Sequence, residues 1–188
     1  MKLVLASASP RRRELIKIID ENALFVSADV DETIPDVVSV EDAPEFLACK
    51  KTLHIAKDYE DSLVIGCDTA VFIDSVMLGK PKDKEDAFNM LSLLCGRTHK
   101  VITGCCLANK GKSMSFSCTS YVKFYNMSES EIRKYIDTGE PMDKAGAYGI
   151  QGKGSLFVEK IDGDYFNIVG LPVALLNKQI RIFLGENK

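Results

Sequence analysis

The segment Leu3-Val4-Leu5-Ala6-Ser7-Ala8-Ser9-Pro10-Arg11-Arg12-Arg13-Glu14-Leu15 constrains the fold most, because a short apolar strand runs straight into a helix start. Ser7 and Ser9 are small polar residues able to cap, and Pro10 suits the first helical position, where a missing N–H costs nothing. A helix N-terminus carries unpaired N–H groups and partial positive charge, and three arginines are added to this one. Cations oppose the dipole at that end, so their placement points to an anion, and phosphate fits. A solvated first turn is the competing reading.

Beyond this corner the pattern alternates strand and helix. The spacing predicts a strand at 2–6, a helix at about 10–20, a strand near 23–28 and an acidic loop, Asp29-Val30-Asp31-Glu32. Ser39 and Asp42 form a capping box for a helix to about 58. Residues 62–67 make a buried strand that ends at Asp68-Thr69, and Asp74-Ser75 turns a hairpin between Val71-Phe72-Ile73 and Val76-Met77-Leu78. Asp83 and Asp86 cap a helix that Gly96 ends. Long strands at about 99–108 and 114–125 are joined through Asn109-Lys110-Gly111-Lys112. Ser128 with Glu131 forms a second capping box, and Gly139 closes that helix. After a glycine-rich loop, 144–154, strands are expected near 155–159 and 165–169, with a terminal helix from Pro172. The whole reads as an α/β protein with a central mixed sheet, one domain spanning 1–188.

Net charge is −3, so general attraction to nucleic acid is not expected, and an anion site must be a local basic pocket. Six cysteines without a Cys-x-x-Cys pair suit a reducing cytosol, and two distant histidines, His54 and His99, argue against a zinc site. The initial apolar run is four residues long with arginines close behind, which argues against export, and no run approaches a membrane span.

Asp68, placed just past the carboxyl end of an apolar strand, sits where open α/β sheets collect ligands, although Asp-Thr equally suits a plain turn. Glu32 can join it around a divalent cation, for which hard oxygen ligands and phosphate suit magnesium or manganese. Lys51 in the second helix and Lys80 at a hairpin end can each reach a polyphosphate as a point charge. Four glycines between Asp143 and Gly154 permit close approach to a ligand, or simply build a turn, and the Gln151 amide can pair with a base edge.

Together, Ser7-Ala8-Ser9-Pro10-Arg11-Arg12, Gly66-Cys67-Asp68-Thr69, Leu78-Gly79-Lys80-Pro81, Gly96-Arg97-Thr98-His99 and Lys144-Ala145-Gly146-Ala147-Tyr148-Gly149-Ile150-Gln151-Gly152 resemble the Maf family of nucleoside triphosphate pyrophosphatases. The resemblance runs in order from residue 3 to about 174. It implies an elongated α/β fold similar to the inosine triphosphate pyrophosphatases, with a central cleft, and hydrolysis of a nucleoside triphosphate to monophosphate and pyrophosphate with a divalent cation. Asp68 takes the place of the catalytic carboxylate. Arg11, Thr69 and Gln151 match positions tied to substrate choice in the subgroup acting on dTTP and UTP. Ser7, Arg12, Glu32, Lys51 and Lys80 fall on other pocket positions, with Asp68 and Glu32 expected at the metal. A homodimer is implied by the resemblance alone.

Two rivals stand beside this reading. An aspartyl phosphatase would use Asp68 as nucleophile, but position 70, where a second Asp is expected, is Ala. A non-catalytic nucleotide sensor acting on cell division is the other.

Overall fold

A computed structural model describes residues 1–186. Strand β1 (Lys2–Ala6) leads to α1 (Pro10–Ile16), then β2 (Leu24–Val26), α2 (Ala43–Ala56), β3 (Ser62–Ile73), β4 (Val76–Leu78) and α3 (Lys84–Leu94). The chain continues through β5 (Thr98–Asn109), β6 (Lys112–Phe124), α4 (Glu129–Ile136), three short 3-10 turns, β7 (Val158–Asp162), α5 (Tyr165–Val169) and α6 (Val173–Phe183). The strands form a seven-stranded mixed sheet in the order β2-β1-β3-β5-β6-β7, with β4 also paired to β3. Strand β1 is parallel to both β2 and β3, and β4 is antiparallel to β3. Helices flank the sheet, as the alternating pattern predicts. Among the described residues no helix is long and apolar enough to cross a membrane.

The chain divides into two compact units. One comprises Met1–Asp68, Thr103–Cys118 and the chain from Gly170, and the other Thr69–Ile102 with Thr119–Val169. In the first, β1 is apolar and buried on both faces from Leu3 to Ala6, as parallel strands under helices must be. Val4, Ala6 and Val64 pack against Ile55 of α2. In the second, an aromatic cluster forms the core: Phe124 meets the rings of His99 and Tyr148 edge-on at 4.8 Å each, and Tyr135 meets Phe157 at 5.1 Å.

Several local signals work as read. Asp83 accepts from the Asp86 amide, and the Ser128–Glu131 capping box closes in both directions. The β5–β6 turn takes positive φ at Lys110 (48°) and Gly111 (75°), the handedness that matches strand twist.

Other expectations need correction. Strand β3 does not end at Asp68-Thr69 but continues to Ile73, because β-forming residues follow and the first break in backbone sign is Asp74 at φ 52°. Asp68 therefore lies within a strand. Helix α1 stops at Ile16 and passes into turns through Asp20. The Ser39–Asp42 pair closes the turn ahead of α2, Ser39 donating to the Asp42 carboxylate at 2.7 Å, while Asp42 as N-cap makes no side-chain bond to the helix. The strand expected at 155–159 starts later, at Val158, after a 3-10 turn over Lys153–Phe157. Residues 165–169 are helical, not extended. Asp164 accepts from the Phe166 amide and begins the turn, and the buried Asn167 amide donates to the Val101 carbonyl and the Ser120 hydroxyl. These tertiary hydrogen bonds outweigh the strand propensity of Tyr-Phe-Asn-Ile-Val.

His99 is 2 % exposed, shares a 2.8 Å hydrogen bond through Nε2 with the Tyr148 hydroxyl, and has no partner for Nδ1 among the described residues. Burial pushes its pKa from 6.5 down to about 4. Between those values the unfolded chain binds a proton that the folded chain refuses, so stability rises with pH and is lost as pH falls through the window. We expect urea unfolding to show the wild type losing about 2 kcal/mol more than His99→Gln between pH 7 and pH 5. Parallel losses in both proteins would remove His99 as the cause.

Candidate functional site

The β1–α1 corner is tightly bonded. Ser7 is buried, its amide donating to the Leu5 carbonyl at 3.0 Å and its hydroxyl accepting from the Ser9 amide at 3.2 Å. Ser9 caps α1 by accepting from the Arg12 amide. Two of the arginines that oppose the dipole have carbonyl or aromatic partners within the protein. Arg12 donates through Nε to the Gly170 carbonyl at 2.8 Å and through Nη1 to the Cys67 carbonyl at 2.9 Å. Arg13 donates to the Ser7 carbonyl at 3.4 Å and lies 5.5 Å from the Phe25 ring centre. Arg11 is half-buried on the same turn.

Register explains why the Cys67 carbonyl is available. The pairing of β1 with β3 stops at Ala6 and Gly66, so the next carbonyl along β3 meets a side chain instead of a strand. Successive strand residues point to opposite faces. Val64, Gly66 and Asp68 face α2, whereas Cys67 faces the other way, with its sulfur 3.5 Å from that of Cys105.

At Gly66 the helix and strand nearly touch. A Cβ there would collide with Thr52 Oγ1 and sit 2.8 Å from the Ala48 carbonyl oxygen. The Thr52 hydroxyl is within reach of both the Ala48 carbonyl, at 2.8 Å, and the Cys106 carbonyl, at 3.3 Å. That close approach brings Lys51, the preceding residue of α2, to Asp68. Lys51 Nζ lies 2.5 Å from Asp68 Oδ1 and 2.8 Å from Glu32 Oε1. Burial works against the ammonium, but Asp68 and Glu32 outweigh it and hold the Lys51 pKa above its ordinary value. Glu32, on an exposed loop, is thus drawn to the same point as Asp68 on its strand.

Thr69, half-buried, begins the second unit. There the Gly146 amide donates to the Gly79 carbonyl at 3.0 Å, tying the glycine-rich loop to the turn that carries exposed Lys80. Gln151 is exposed on the same loop, after buried Ile150. Protein groups occupy the space its glycines leave open. Gly146, at φ 69°, faces Val71, a Cβ at Gly149 would press on Lys144, and one at Gly152 would run into the Glu140 carboxylate. The loop is held from outside by Tyr135 and Glu140, which no local pattern marks: one is a buried helix position, the other the start of a turn.

The structure therefore joins Arg12, Glu32, Lys51 and Asp68 through direct bonds and the Cys67 carbonyl, with Ser7 and Arg11 on the same corner. Thr69, Lys80 and Gln151 belong to the second unit.

The sequence matches the family described as "Maf-like protein" over residues 2–183. A dTTP/UTP pyrophosphatase of Bacillus cytotoxicus is 47% identical over 182 residues, covering 97% of this chain and 95% of the relative. One from Clostridium acetobutylicum is 48% identical over 198 residues, covering 98% of each. Among solved structures, the Staphylococcus aureus Ham1 protein superposes with a TM-score of 0.57 at 17% identity, and a HAM1 protein from Coxiella burnetii with 0.51 at 14%, each over 100% of both chains. Those two likenesses bear on the fold alone. The chain belongs to the Maf family.

Because its two bonds to backbone carbonyls use the fork of a guanidinium, Arg12→Lys should lose at least one of them and lower stability by on the order of 2 kcal/mol. Chemical denaturation checks this. An unchanged midpoint would mean that the Gly170 and Cys67 contacts contribute nothing.

Proposed function

We propose that this protein is an enzyme that hydrolyses dTTP and UTP to the nucleoside monophosphate and pyrophosphate. Full-length relatives named dTTP/UTP pyrophosphatase support the reaction. The observation that carries it is the convergence of Asp68 and Glu32 on Lys51, beside the arginine-bearing corner that Arg12 ties to Cys67.

In this reading a water molecule, oriented by the Asp68 carboxylate, attacks the α-phosphorus in line with the bridging oxygen to the β-phosphorus. The new P–O bond forms as the bridging P–O bond breaks. The water proton passes to Asp68 and then to solvent, and pyrophosphate leaves with the bonding electrons. Ser7, Arg11, Lys51 and Lys80 bind phosphate oxygens, Lys51 exchanging part of its carboxylate contact for the substrate. Arg12, already engaged by carbonyls, keeps the corner and the Asp68 strand in place while adding positive charge.

The donor set suits a divalent cation. Two hard carboxylate oxygens already approach one ammonium at 2.5 and 2.8 Å. Magnesium commonly takes one or two carboxylates and completes its shell with water and phosphate oxygens. Asp68 and Glu32 would hold Mg2+ or Mn2+ there, and the cation, when bound, neutralises charge on the triphosphate.

Base choice rests on Gln151. Its amide both donates and accepts, matching the N3–H and adjacent carbonyl of uracil and thymine, whereas cytosine offers another pattern. Arg11 and Thr69 complete the set tied to this choice. Unpaired buried polar groups make such selection strong. Free cysteines at 49, 67, 95, 105, 106 and 118 support a reducing, cytosolic setting.

A pyrophosphate-release assay on dTTP, UTP and CTP, with and without magnesium, tests the reading. We expect cation-dependent turnover of dTTP and UTP, with CTP poor. Asp68→Asn should lower kcat at least about a hundredfold while keeping fold and nucleotide binding. A near-normal rate in that variant removes Asp68 from the mechanism, and 18O from solvent appearing in pyrophosphate would move the attack away from the α-phosphorus.

A further inference from the structure

The loop that carries Gln151 has no strand ladder of its own, so its amides need partners from elsewhere. Two side chains supply them on both sides of Gln151. The Gly149 amide donates to the Tyr135 hydroxyl at 3.0 Å, and that hydroxyl donates to Glu140 Oε1 at 3.0 Å. From the far side, the Lys153 amide donates to Glu140 Oε2 at 2.9 Å and the Gly154 amide to Oε1 at 3.3 Å. One carboxylate and one phenol thus fasten both shoulders of a loop whose tip is exposed.

The supports are themselves fixed. Tyr135 is buried in α4 and packs edge-on against Phe157. Lys144 Nζ donates to the Glu140 carbonyl at 2.6 Å. Gly152 and Gly154 have no room for a Cβ, blocked by the Glu140 carboxylate and by the Tyr135 hydroxyl with the Gly149 carbonyl. Burial opposes the charge on Glu140, but the Lys153 and Gly154 amides, the Tyr135 hydroxyl and Lys144 prevail and hold its pKa below the ordinary carboxylate value. The carboxylate is therefore charged at neutral pH, and its hydrogen bonds are charge-assisted.

We propose that Glu140 and Tyr135 are positioning residues for nucleobase selection: they set the loop geometry from which Gln151 reads the base. This rests on the reading of Gln151 given above. A side chain that discriminates by hydrogen bonds must be held within a fraction of an ångström, and an exposed loop tip holds that precision only if its shoulders are pinned. Loss of either support loosens selection before it affects phosphoryl chemistry, whose residues lie on other elements.

The test measures kcat and KM for dTTP and CTP in the wild type, Glu140→Gln, Tyr135→Phe and Gln151→Ala. In Glu140→Gln and Tyr135→Phe we expect the dTTP-to-CTP ratio of kcat/KM to fall about tenfold. The fall should come chiefly from a raised KM for dTTP, with kcat little changed. Gln151→Ala should lose the ratio at least as far, and adding Glu140→Gln to it should lower the ratio no further. If Gln151→Ala collapses the ratio while both support variants keep it, the positioning inference is overturned and the base reading stands. If Gln151→Ala leaves the ratio unchanged, the base reading fails and takes the inference with it. Equal losses on dTTP and CTP in both support variants, with lowered melting temperature, would mark Glu140 and Tyr135 as merely structural and also overturn it.

Discussion

Lys51 reaches Asp68 because residue 66 has no side chain. Helix α2 lies so close to β3 that a single methyl group at that position would strike Thr52 and crowd the Ala48 carbonyl. Thr52 uses the contact, its hydroxyl lying near carbonyls of its own helix and of β5. With the backbones this near, a lysine one residue earlier on the helix meets a carboxylate two residues later on the strand. The ion pair is mostly sheltered, Lys51 and Asp68 side chains being 13% and 18% exposed. A sheltered charge pair contributes little net stability, because desolvation offsets attraction, but removing one partner leaves the other costly. That balance suits the ligand-binding role proposed for the pair better than a bracing one.

The same economy of position governs the arginine corner. Three cations on the first turn of a short helix look like a phosphate seat, and one of them proves to be part of the framework. Arg12 bridges the Cys67 and Gly170 carbonyls, joining the residue before Asp68 to the loop ahead of α6. A guanidinium satisfied by neutral carbonyls keeps its full charge, so it can stabilise the corner and raise the local potential together. Arg13 is turned toward Ser7 and Phe25. Carbonyl and aromatic partners within the chain thus account for the placement of these two residues without an anion.

What could be read from sequence follows the range of the interactions. Caps at Asp83 and Ser128 and the Lys110-Gly111 turn depend on neighbours a few residues away, and they form as their spacing implies. The helix at Tyr165–Val169 depends on partners distant in sequence. The hairpin of Val71–Ile73 with β4 forms as its spacing implies, but nothing at Asp68-Thr69 shows that residues 62–73 run on as one strand, and nothing in Tyr165–Val169 shows Asn167 reaching Val101 and Ser120. The site divides the same way. Asp68, Glu32, Lys51 and Arg12 are legible as residue types worth attention, but their linkage through the Gly66 contact and the Cys67 carbonyl is purely tertiary. Glu140 and Tyr135 carry no local mark at all.

The glycine-rich loop shows how a familiar signal can have an unfamiliar cause. Small residues in a loop suggest room for a ligand, yet here the room is taken by Val71, Lys144, Glu140 and Tyr135. Even Ala147 is drawn into positive φ, at 58°, a conformation that costs an L-residue about 1 kcal/mol. Such a cost persists only where surrounding contacts over-determine the backbone, and this segment has them on both sides of Gln151. The two tasks proposed for the chain would thus rest on different supports. Asp68 and Lys51, proposed to act at the phosphates, sit on a strand and a helix made rigid by packing, whereas the amide proposed to read the base sits on a loop made rigid by hydrogen bonds to its own backbone. Packing tolerates little change, while a hydrogen-bonded loop can be re-aimed by altering one anchor, so on the proposed reading base choice would shift without disturbing the carboxylates and lysine.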